Sequence, residues 1–216
     1  MILNKIILTA GSGAKLFFDE GLTLRIPQYK LIEYSLSEGV EVAVEKLNAL
    51  MKESNLFSLE SRALYWMQFK RFSEKELRKK MIKYIDDEKS VSEVVDKFIS
   101  LGYLNDLKLA EDYVSDSVKF KKDGVRKIRV NLFKKGISKE TINEVLSTLV
   151  DEDELIEKGV ELALKKQKTF TGKNLDSRSI TQKLFSFLAG KGYTTSQIKK
   201  VLSVTGDKNA EEIEEC

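Results

Sequence analysis

Between Lys119 and Lys135 the chain carries eight basic residues and a single acid, Asp123. The chemistry open to such a row, wound on a helix, is contact with phosphate or carboxylate groups. At 100° per residue, Val125, Ile128 and Leu132 share one face, and Lys127 and Lys134 lie together on the other, beside Asn131. Arg126 and Arg129 flank the apolar edge and can snorkel outward, and Lys135 extends the row. From Leu155 to Lys200 ten bases accompany three acids, with Lys165, Lys166, Lys168 and Lys173 closely spaced. A third run holds Lys70, Arg71, Lys75, Arg78, Lys79, Lys80 and Lys83. The candidate contact residues are therefore Arg126, Lys127, Arg129, Lys134, Lys135, Lys165 and Lys166. A solvated helix face explains any one such run; three in series weigh against that reading. The tail is acidic, with Glu211, Glu212, Glu214 and Glu215, and the net charge is only +3. A basic body with an acidic tail suits a polyanion or an acidic protein surface.

Most other chemistry is closed. The chain has no histidine, which removes the commonest general base and metal ligand. Its one cysteine is the last residue, Cys216, so neither an internal disulfide nor a thiolate metal cluster can form. Gly11-Ser12-Gly13 reads as a hairpin turn rather than a phosphate loop, because the strand-like Lys15-Leu16-Phe17-Phe18 follows it. No catalytic residues, metal or cofactor are expected. No apolar run approaches the ~20 residues of a membrane span, and no signal peptide opens the chain; a cytoplasmic protein is expected. Tyr65, Trp66, Phe69 and Phe72 offer base stacking in principle, but Trp66 and Phe69 fall at helical spacing beside Leu59 and Ala63 and read as core.

The elements that position the bases repeat. An apolar helix ends at a glycine, a short polar turn follows, and a second apolar helix begins. One copy runs Ile128, Leu132, Gly136, Ile137, Ile142, Leu146; another runs Leu184, Leu188, Gly192, Tyr193, Ile198, Leu202. A looser copy has Leu77, Met81, Ile85, Val94 and Phe98. Each is preceded by a further helix, at 59–69, 109–120 and 155–165, giving three-helix units. Ser73-x-x-Glu76, Ser90-x-x-Glu93 and Thr194-x-x-Gln197 have the form of capping boxes, and Ser138 opens another helix. Gly102, Gly136 and Gly192 stand where helices should stop.

Residues 1–26 read as strands, with Leu22-Thr23-Leu24-Arg25-Ile26 alternating and Pro27 closing them. Leu31, Ile32 and Leu36 are near helical spacing, Val40 and Val42 form a short strand, and Ala43–Met51 form a helix. Lys52-Glu53-Ser54-Asn55 is the expected linker. The fold expected is mainly α: three tandem three-helix repeats in an elongated curved body, after a small N-terminal α/β domain. The boundaries are 1–54 for that domain, 56–104, 105–150 and 151–206 for the repeats, and 207–216 for a disordered acidic tail.

Several segments in order now carry a resemblance. They are Ala63-Leu64, Arg71-Phe72-Ser73-Glu74-Lys75-Glu76-Leu77, Gly102-Tyr103-Leu104-Asn105-Asp106, Ala110, Tyr113-Val114, Gly124-Val125-Arg126-Lys127-Ile128 and Lys135-Gly136-Ile137. Together they resemble the RecX family, bacterial regulators of the RecA recombinase, from residue 56 to about Leu202. Asn105 stands in place of the family's usual Asp, Leu109 in place of a frequent Phe, and Val125 in place of Pro. The turn through Asp86-Asp87-Glu88 is longer than usual.

The resemblance implies a non-enzymatic regulator that lodges in the groove of the RecA–DNA filament and inhibits ATP hydrolysis, strand exchange and coprotease action. The partner implied is the RecA filament, with single- or double-stranded DNA beside it, and the chain itself is expected to be a monomer. The residues alone leave a second class open: a direct, non-sequence-specific nucleic-acid-binding module using the three basic runs. Base-specific reading is not expected, since a recognition helix should carry several Arg, Asn or Gln residues and the third helices, such as Glu140–Ser147, are acidic or neutral.

Overall fold

In a computed structural model the chain forms two compact units, Met1–Asn105 and Asp106–Cys216. The structure describes residues 1–9, 11–171 and 176–206, with helix backbone assigned as far as Glu214. Lys173 and the acidic tail expected over 207–216 lie outside the described residues.

The first unit opens with β1 (Leu3–Thr9), β2 (Gly13–Phe18) and β3 (Thr23–Pro27), an antiparallel meander in that order. The Gly11-Ser12 turn joins β1 to β2 with both residues at positive φ, as a tight hairpin requires. Alternation places Ala14, Leu16 and Phe18 of β2 and Leu24 and Ile26 of β3 on the buried face. Two short elements follow differently from expectation. The helix α1 is a single turn, Lys30–Glu33. Val40 and Val42 form no strand of their own: Glu41 makes one isolated bridge with Ile2, and Val42 donates to the Met1 carbonyl at 2.8 Å.

A larger correction concerns residues 52–55. They are not a linker but the middle of α2 (Val44–Met67), one uninterrupted helix that absorbs the separate helix expected at 59–69. Nothing there breaks a helix, and each of the four polar side chains has a structural partner. Lys52 pairs with Glu93 at 2.8 Å and Glu53 with Lys30 at 2.9 Å. The Ser54 hydroxyl accepts from the Arg25 amide at 2.9 Å, satisfying an edge donor of β3. Asn55 donates to Asp87 at 3.1 Å. The N-terminal half of α2 thus closes the sheet's core through Leu50, and its C-terminal half supplies Leu59 and Ala63 to the next.

That next core is completed by α3 (Glu74–Tyr84) and α4 (Glu88–Ser100), which contribute Leu77, Met81, Val91, Val94, Val95 and Phe98. Ser73 and Glu76 form the expected capping box. Ser90 does not cap α4; it lies one turn inside, buried, and donates to Asp87, which is the cap. Asp87 precedes the helix and has an extended backbone, as an N-cap must. Of the four aromatics read as core, Phe72 is buried and Trp66 half-buried. Tyr65 and Phe69 remain 51% and 72% exposed: Tyr65 lies on α2 off its buried Leu59–Ala63 stripe, and Phe69 has left the helical register because α2 stops at Met67.

The second unit holds α5 (Asp106–Lys119), α6 (Val125–Lys135), α7 (Lys139–Leu149), α8 (Glu152–Lys168), α9 (Ser177–Gly190) and α10 (Thr195–Glu214). Its two three-helix repeats share one core, running from Ala110, Ile128 and Leu132 to Leu184, Leu188 and Tyr193. Gly136 and Gly192 end helices at φ +92° each, and Thr194 and Gln197 cap α10 reciprocally at 3.3 and 2.9 Å. No described helix is long and apolar enough to cross a membrane.

Candidate interaction face on α6

The helix α6 has a glycine, Gly124, at its N-cap and hence no side chain to satisfy its first amides. The turn after α9 does so instead. The Gly124 amide donates to the Lys191 carbonyl at 2.8 Å, and the Arg126 amide to the Gly192 carbonyl at 3.0 Å. This approach needs both glycines. A Cβ on Gly124 would stand 2.4 Å from the Gly192 backbone, and one on Gly192 would stand 2.4 Å from the Lys127 Cβ. The buried Tyr193 fastens the same junction, its hydroxyl donating to the Lys122 carbonyl at 3.3 Å. Burial first, then the charges of Asp123 and Glu161, push that phenol well above its ordinary range.

Charge at this end of α6 is balanced in a way the sequence did not reveal. Asp123, the lone acid of the basic run, is 3% exposed. Lys127 donates to its Oδ1 at 2.8 Å, and Lys191 approaches the same oxygen at 3.7 Å. Lys122 is bonded to Glu161, which also takes Lys158 at 3.1 Å; these two lysines, Lys122 first, hold the Glu161 carboxyl below its ordinary range. Lys127, read from sequence as an open contact residue, is therefore half-buried and paired.

The other candidates are placed as follows. Arg126 and Lys134 are exposed on the outer face of α6, eight residues or about 12 Å apart along its axis. Arg129 donates to Asn143 of α7, and Lys135 is half-buried at the helix end. Lys165 and Lys166 occupy the last turn of α8. Lys166 lies over the rings of Phe170 and Phe187, 5.6 Å from each, which places it with α9.

Two residues of this face escaped the sequence reading. Val130 is 50% and Phe133 69% exposed, between Arg126 and Lys134. The available signal was that both fall outside the 125–128–132 stripe, at roughly 140° and 80° from Val125 on the helical wheel. The face thus offers an exposed aromatic flanked by Arg126 and Lys134 on a helix whose N-terminus is fixed, a combination of apolar and cationic groups of the kind found at protein interfaces.

Comparison with known proteins matches the chain to one family. The model of the RecX second three-helix domain matches residues 105–146, and that of the third matches residues 152–202. Regulatory protein RecX of Clostridioides difficile is 30% identical over 188 residues, covering 87% of each chain. That of Clostridium acetobutylicum is 32% identical over 177 residues, covering 82% of each. A crystal structure of regulatory protein RecX shares the fold with a TM-score of 0.72 at 23% identity, over 94% of this chain and 98% of its own. RecX from Lactobacillus salivarius gives 0.65 at 26% identity, over 70% and 97%. With relatives of this identity aligned along most of its length, the chain belongs to the RecX family of regulatory proteins.

Proposed function

We propose that the chain binds the RecA–DNA filament and inhibits its ATP hydrolysis, strand exchange and coprotease action, so regulating DNA repair and recombination in the cytoplasm. The observation that carries this reading, beyond family membership, is the outer face of α6. There an exposed Phe133 and Val130 lie among Arg126 and Lys134, on a helix whose N-terminus is fixed. A filament groove is met by many modest contacts on rigid helices rather than by one deep pocket. The chain acts as a monomer, and the contact residues are Arg126, Phe133 and Lys134, with Lys127 and Arg129 holding the face in place.

The test is DNA-dependent ATP hydrolysis by RecA with this protein titrated in. Inhibition below one copy per RecA is expected; no effect at stoichiometric amounts overturns the reading. Direct binding to nucleic acid through the basic runs is the second reading. The exposed Arg126 and Lys134 favour it, and the pairing of Lys122 and Lys127 with Glu161 and Asp123 counts against it. Tight, salt-steep binding of naked DNA at physiological salt, with no effect on RecA, would favour that second reading.

A further inference from the structure

In the first unit a cleft of about 380 Å³ is lined by Arg25 of β3, by Ser58, Ser61, Arg62 and Tyr65 of α2, and by Tyr84 at the end of α3. Its polar lining consists of two guanidinium groups and four hydroxyls, with no carboxylate among them. Both arginines are held over aromatic faces. Arg25 lies 5.4 Å from the Phe57 ring centre, and Arg62 lies 4.9 Å from that of Tyr84, whose hydroxyl accepts from Arg62 at 3.5 Å. Neither forms an ion pair among the described residues. Other bases of this unit do: Lys30 with Glu53, Lys52 with Glu93, Lys97 with Glu60 and Arg78 with Glu74. Two oriented guanidinium groups without counter-charge, beside hydroxyl donors, fit an oxyanion.

The rim decides which oxyanion. Tyr65 and Phe69 are exposed and meet edge to face at 5.2 Å, and Tyr84 is also exposed. An acidic peptide pairs its carboxylates with the arginines but offers no planar base to the Tyr65 face, and a duplex hides the faces of its bases. Single-stranded nucleic acid uses both, with phosphate on the cations and unstacked bases on aromatic rings. We propose that this cleft binds single-stranded nucleic acid. A backbone phosphate sits on Arg25 and Arg62, assisted by Ser58 and Ser61, and a base stacks on Tyr65. The volume suits one nucleotide unit.

The test is fluorescence anisotropy of a labelled oligothymidylate with the full chain across a salt series. No recombinase is present, so the result is independent of the filament reading. Replacing Arg25 and Arg62 together by Ala should weaken binding at least tenfold and reduce the log–log salt slope by about 0.7, one single-strand phosphate. Both side chains are exposed, so circular dichroism should not change and Tm should fall only slightly, by the two exposed ring contacts. Arg25→Lys with Arg62→Lys should keep the slope. Tyr65→Ala should lose about tenfold and Tyr65→Phe little. The proposal is overturned if the wild-type chain fails to bind at low salt, or if the double Ala variant keeps affinity and slope. Equal binding of a duplex or a polyglutamate peptide, lost in the same variant, also overturns it.

Discussion

Gly124→Ala tests the junction on which the α6 face depends. At φ −75° and ψ 161° the backbone accepts alanine freely, so the whole effect is steric. The new methyl would lie 2.4 Å from the carbonyl carbon and oxygen of Gly192 and the amide nitrogen of Tyr193, all backbone atoms. Ordinary contact begins near 3.4 Å, so the turn must retreat by about 1 Å. Overpacking of this kind costs about 1–3 kcal/mol. Retreat also stretches the bonds at 2.8 and 3.0 Å to Lys191 and Gly192, each worth about 1 kcal/mol. The expected loss is about 3–5 kcal/mol, a fall in Tm of roughly 15–20 °C for a unit of this size. Urea unfolding followed by circular dichroism measures it. Gly190→Ala is the control: it sits in α9 with nothing within 4 Å and should gain about 0.5–1 kcal/mol from helix propensity. If Gly124→Ala stays within about 0.5 kcal/mol of wild type, the turn is not packed against α6 as described and the reasoning fails.

Three further outcomes are expected. Asp87 is held below the ordinary carboxylate range by the Ser90 hydroxyl, then by the Ser90 amide and Asn55. Its contribution is therefore complete above the unfolded value of about 3.9 and is lost as pH falls through the lower folded value; Asp87→Asn, still a cap, should flatten that acid limb in a thermal melt. Ser54→Ala leaves the Arg25 amide without its acceptor and should cost about 1–2 kcal/mol in urea. Phe133→Ala should leave stability unchanged yet weaken co-sedimentation with RecA filaments about tenfold or more, as loss of an anchor does; unchanged sedimentation would place the contact elsewhere.

Local chemistry was legible in the sequence and long-range chemistry was not. The box at Ser73, the left-handed glycines 136 and 192 and the Ile128–Leu132 stripe follow from neighbours within a turn or two. Asp123 could be seen as a lone acid four residues before Lys127. Its other partner, Lys191, sits across the junction, and only folding brings them together. The same distance hid the role of Gly124, whose requirement comes from Gly192 rather than from its own dihedral angles. Residues 52–55 misled because a helix with partners on several sides carries polar residues around its circumference, and such a pattern mimics a loop. Phe69 misled in the opposite sense: its spacing was helical, but the helix had already ended.

The continuity of α2 changes how the N-terminal sheet can be studied. A cut at residue 54 would halve a helix, strip Asn55 and Leu59 of their flanking turns, and remove the ion-pair partner of Glu93. Loss of activity in such a fragment would report damage to the first repeat as much as absence of the sheet. The strands are therefore not a detachable accessory; they and the first repeat are spliced onto one splint. Any dissection of their separate contributions has to be made by surface substitutions that leave α2 whole.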